Sequence, residues 1–180
     1  MRIACWTSLL LPLLALPAWA SAGAAADTLR AETAAGGKTR LHLVAPGGKP
    51  VTLLVPRDDQ VPARAPVEQA RVVAVVGDTV VLTDRYRSRL NQGQGQCGAG
   101  VESFVRVVQL APARQVFQVK LESCWNDVEP DHEPPAQGVE WNAESGELRL
   151  KWLQGPAGKG PETQRLKVGP GGRVEPLKPA

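Results

Sequence analysis

The chain has 180 residues and balances 21 Lys and Arg against 18 Asp and Glu, a formal charge of +3. That length suits one domain with one hydrophobic core, and the near-neutral charge by itself implies no polyanionic partner such as nucleic acid. Aromatic residues make up only 4% of the chain, so the core is expected to be built mainly from Val and Leu.

Residues 1–20 read as a secretory signal peptide. Arg2 precedes an apolar run from Leu9 to Leu16, and Ala18-Trp19-Ala20 supplies small residues at the expected cleavage positions. Pro12 and Pro17 interrupt the run, which is short for a bilayer span of roughly 20 residues. Cleavage would remove Cys5 and leave Cys97 and Cys124 in an exported chain, where an intramolecular disulfide is expected. Closing a loop of about 28 residues is worth ~3.6 kcal/mol on chain-entropy grounds. The two cysteines lack the two-residue spacing of a redox pair.

Residues 21–37, rich in Ala and Gly, are read as a flexible lead-in with Leu29 as the one large apolar anchor. A single β-rich domain over 38–177 follows, with 178–180 frayed. In its first hairpin, Leu41 and Leu43 alternate with polar residues, as do Val51, Leu53 and Val55, around a turn at Pro46–Lys49. Residues 56–70, with three prolines, form a surface connection. The near-continuous apolar runs Val72–Val76 and Val80–Leu82, turning on Gly77-Asp78, predict a second hairpin buried on both faces at the centre of the sheet.

If the strand continues through Asp84–Arg89, alternation places Arg85, Arg87 and Arg89 on one face and Asp84, Tyr86 and Ser88 on the other. The Gln/Gly segment that follows is a loop ending at Cys97. Its glycines, Gly93-x-Gly95-x-x-Gly98, match a dinucleotide fingerprint in spacing but lead into a strand instead of a helix, so no cofactor is expected. Val101–Leu110 and the strand carrying Phe117, Val119 and Leu121 form a third hairpin. Simple alternation puts Gln118, Lys120, Glu122 and Cys124 on its polar side, and hence the disulfide outside the core.

Residues 126–137 make an acidic, proline-rich connection. Val139 and Trp141 pair with Leu148, Leu150 and Trp152 in a fourth hairpin, with Glu147, Arg149 and Lys151 facing water. A last pair, Leu166 and Val168 against Val174, turns on Gly169–Gly172. The sum is an all-β fold, an antiparallel β-sandwich or partly open barrel of about eight to ten short strands with one disulfide.

The expected ligand contacts are Arg85, Tyr86, Arg87 and Arg89, since guanidiniums grip carboxylates, phosphates or sulfated sugars in bidentate fashion and a tyrosine adds a stacking surface. The plainer reading of these residues is charge guarding a strand edge against association. Asp131-His132-Glu133 lacks a second histidine at ligand spacing, so no metal is expected. No G-x-S-x-G and no free cysteine appear in the exported part, and enzyme activity is not expected. A hydrolase with a dispersed site would instead need a concave pocket with two convergent titratable groups. Periplasmic or secreted, the chain is expected to be a non-enzymatic envelope binding protein whose partner is an envelope protein or an anionic glycan. The alternative is a proteinaceous inhibitor of an envelope-directed hydrolase, a lysozyme or a protease.

Overall fold

A computed structural model describes residues 29–44, 49–90, 96–132 and 137–178. The expected signal peptide, most of the first hairpin turn, the centre of the Gln/Gly loop and Glu133 lie outside them. The fold is all-β, with twelve strands in three antiparallel sheets and no α-helix among the described residues. It is sandwich-like and not a closed barrel.

The first sheet is β1 (Arg30–Ala34), β2 (Lys38–Val44) and β3 (Pro50–Pro56) in that order. Arg30–Ala34, expected within the flexible lead-in, pairs in register with β2. Leu29 beside it packs against the core, and that anchor explains why the strand docks. The central sheet runs β4 (Val67–Val76), β5 (Thr79–Arg87), β6 (Val101–Leu110) and β7 (Ala113–Ser123). The third sheet orders β12 (Arg173–Pro176), β11 (Glu162–Gly169), β10 (Glu147–Gln154) and β8 (Glu129–Pro130), with β9 (Val139–Asn142) also paired to β10.

Strand alternation gives the central sheet two apolar faces. Val80, Leu82, Val108 and Leu110 meet Leu41, Leu43, Leu53 and Val55 of the first sheet. Val81, Val105 and Val107 meet Leu148, Leu150, Trp152, Leu166 and Val168 of the third. The expected double burial therefore holds for β5, whose partner in it is β6. β4 is an edge strand, with Val75 exposed.

Two bonds lock the third layer onto the second. The backbone N–H of Gly171 donates to Asp78 Oδ1 at 2.6 Å, and that of Gly172 donates to Thr79 Oγ1 at 2.8 Å. Glu147, expected to face water, is largely covered and ion-paired to Arg165 at 2.7 Å and Arg149 at 3.2 Å. These contacts hold its carboxyl at about 2, the Arg165 hydrogen bond acting most strongly.

Cys97 and Cys124 are disulfide-bonded, with a Cα–Cα distance of 5.6 Å. The bond sits outside the three apolar clusters, at the end of the central sheet. Gly100 is required there, because a Cβ on it would lie 2.5 Å from Cys124 Cβ.

Candidate functional site

The four candidate ligand residues leave β5 and its extension in the alternation expected. Asp84, Tyr86 and Ser88 are buried, Arg85 is exposed, and Arg87 and Arg89 are partly so. Each inward side chain is tied down. Arg106, itself 0% exposed, donates from Nε to both Asp84 oxygens at 2.8 and 2.9 Å. Its Nη1 reaches the Pro56 carbonyl at 3.0 Å and Gln115 and Gln118 at 2.6 Å each. Burial pushes the Asp84 carboxyl up, and the Arg106 guanidinium and the Tyr86 hydroxyl pull it back.

Tyr86 is fully buried. Its hydroxyl donates to Asp84 and lies 2.6 Å from Thr39 Oγ1, while the Arg57 guanidinium stacks 4.8 Å from its ring centroid. Its ring is thus spent on the protein's own interior and offers no surface to a ligand. Ser88 donates to Glu102 Oε1 at 2.8 Å, and the backbone N–H of Cys124 donates to the same oxygen at 3.1 Å. This fully buried carboxylate joins the end of β5 to the disulfide corner. In the sequence Glu102 and Arg106 stand out as breaks in a largely apolar strand, but their partners, distant along the chain, are not legible there.

The three arginines face outward into different surroundings. Arg87 pairs with Glu68 across the β4–β5 edge. Arg89 stacks 5.1 Å above the half-buried Trp125 ring, whose Nε1 donates to the Ser88 carbonyl at 3.3 Å. Arg85 opens onto a cleft of about 190 Å³ between the central sheet and Pro130, His132, Gln137 and Val139.

Rows of residues paired across the central sheet build that cleft. Ala74, Val81, Val107 and Phe117 form an apolar row beneath the third sheet. The next row outward, Arg71, Thr83, Val105 and Val119, is mixed. The one after it, Gln69, Arg85, Ser103 and Glu122, is polar on all four strands. Where the third sheet stops, the face thus changes from apolar to polar within two rows.

Glu122 belongs to this row because of a β-bulge. Ser103 pairs with Glu122 while the next residue, Phe104, pairs with Lys120, leaving Leu121 as the extra residue. The expectation that Glu122 shares a face with Gln118 and Lys120 is therefore corrected: the bulge turns it to the cleft side. Burial pushes its carboxyl up, opposed by Arg85 and then His132.

Pro130, His132, Gln137 and Val139 complete the lining. His132 lies 3.6 Å from Glu129, and both are exposed. The cleft does gather titratable groups, as a dispersed catalytic site would require. Among the described residues, however, no hydrogen bond or ion pair links Ser103, Glu122 and His132 into a relay. No group of three metal-ligating side chains occurs among them, and no helix is long and apolar enough to cross a membrane. Comparison with family models, with curated proteins and with solved structures found no match.

Proposed function

We propose that the protein is an exported, non-enzymatic binding protein of the cell envelope, periplasmic or secreted. It would hold an anionic partner, an envelope protein or a glycan, at the arginine side of β5. The supporting observation is the strict division of Asp84–Arg89 into an inward set fixed by buried hydrogen bonds and an outward set of three guanidiniums. Rigid presentation of this kind lowers the ordering cost of binding. A formed disulfide is compatible with an oxidising compartment.

The test is capture from envelope extract by wild type and by the Arg85→Ala, Arg87→Ala, Arg89→Ala triple variant. The variant is expected to lose capture while its melting temperature stays within a few degrees, since surface substitutions cost about 0.5 kcal/mol or less. Unchanged capture overturns the reading.

A further inference from the structure

Arg87 and Arg89 already have partners, but the cleft arginines do not. Among the described residues Arg71 and Arg85 make no ion pair or hydrogen bond. Glu122 is half-buried and accepts no hydrogen bond from them either. The same 190 Å³ space is also lined by Asp84 and His132, but Asp84 is held by Arg106 and His132 lies beside Glu129, which leaves Arg71, Arg85 and Glu122 as the lining charges with no direct contact to neutralise them.

Their spacing follows from the sheet. Arg71 and Arg85 come from the neighbouring strands β4 and β5, whereas Glu122 comes from β7, two strands beyond Arg85. Two strand separations are about 10 Å. The small side chain of Ser103 stands between, so Arg85 and Glu122 approach each other across a gap instead of closing it.

We propose that this cleft binds a small zwitterion of amino-acid or dipeptide size, with its carboxylate at Arg71 and Arg85 and its ammonium at Glu122. The proposal rests on the reading of Arg85 as a ligand contact and adds the chemical class. The volume, about six times a water molecule's share of liquid volume, falls below the roughly 300–1,000 Å³ of drug-sized pockets. A plain anion would gain the arginines and meet repulsion from Glu122, while a plain cation would meet the reverse. Only a ligand with both ends satisfies all three groups, and the mismatch excludes the others. Desolvation at Glu122, which disfavours its charge, is relieved by an ammonium placed beside it.

Isothermal titration calorimetry with glycylglycine, N-acetylglycylglycine, glycylglycinamide and inorganic phosphate tests the assignment. Wild type is expected to prefer glycylglycine over either blocked form by about 10-fold or more, the scale of one charge-assisted hydrogen bond. Glu122→Gln should erase the preference over the N-acetyl form, weakening glycylglycine and strengthening the N-acetyl form, whose repulsion by the carboxylate it removes. Arg71→Ala or Arg85→Ala should weaken every carboxylate-bearing probe by about 10- to 100-fold. Equal affinity for glycylglycine and its N-acetyl form, phosphate binding as tight as glycylglycine, or no heat from any probe at millimolar concentration would each overturn it. If calorimetry fails while the triple arginine variant still loses envelope capture, only the zwitterion assignment falls. If capture survives in that variant, the arginine face itself is not the binding surface.

Discussion

Replacing Asp84 by Asn keeps the shape of the side chain and removes the charge that Arg106 faces. Both residues are fully buried, and Arg106 Nε contacts both carboxylate oxygens. The remaining acceptors of Arg106, the Pro56 carbonyl and two glutamine oxygens, are neutral. The substitution therefore leaves a buried guanidinium without a counter-charge, which costs about 3–5 kcal/mol. Against a total stability on the order of 5–15 kcal/mol that is a large fraction. With a urea dependence of about 2 kcal/mol per molar, the midpoint of unfolding should fall by roughly 2 M. Urea titration followed by tryptophan fluorescence reads it. The double variant Asp84→Leu, Arg106→Met removes both charges, and it should be less destabilised than Asp84→Asn alone. An Asp84→Asn midpoint within the equivalent of ~1 kcal/mol of wild type, or a double variant weaker than the single, would refute the view that this pair anchors the inward face of β5.

Two further outcomes concern the other layers. Glu147 is held at about 2, below its ordinary value of 4.5, so it stabilises the fold above pH ~4.5 and loses that contribution as pH falls toward 2. Thermal melts of wild type and Glu147→Gln should differ at pH 6 and converge by pH 2; a gap independent of pH would contradict this. Reducing Cys97–Cys124 should deprotect the amides of Ser88 and Gly100 in hydrogen exchange while Val80–Leu82 and Val105–Val108 stay protected, because the bond lies outside the apolar clusters. Equal loss in both regions would show that the bond braces the core.

Much of the architecture was legible because period-two alternation carries it. The runs at Leu41–Leu43, Val51–Val55 and Val101–Leu110 became β2, β3 and β6, and Gly77-Asp78 turns between β4 and β5 as read. What alternation cannot show is which strand becomes an edge. Val72–Val76 and Val80–Leu82 look alike in sequence, yet only β5 gained a neighbour on each side. Arg30–Ala34 was missed because its strand character comes from pairing with β2, not from its own apolar content.

The candidate site was legible in part for the same reason. Parity separated the three arginines from Asp84, Tyr86 and Ser88. It could not reveal that Tyr86 would bond Asp84 and Thr39 inside, because Thr39 lies 47 residues away. Nor could it reveal the bulge at Leu121, which depends on pairing with β6 and reverses the direction of Glu122. Polar residues do interrupt the apolar run of β6 at Glu102 and Ser103, but only the structure shows that the first accepts hydrogen bonds at the disulfide corner and that the second lines the cleft.

Ligand is expected to meet the cleft arginines Arg71 and Arg85 and not the interior ones. Arginine Nε–Hε resonances followed by 15N NMR during titration with glycylglycine report each guanidinium separately. The expected result is saturable shifts at Arg71 and Arg85, with Arg57 and Arg106 unmoved in their hydrogen bonds to Thr39 and Asp84. Shifts confined to arginines outside the cleft, or none at saturating ligand, would contradict the account.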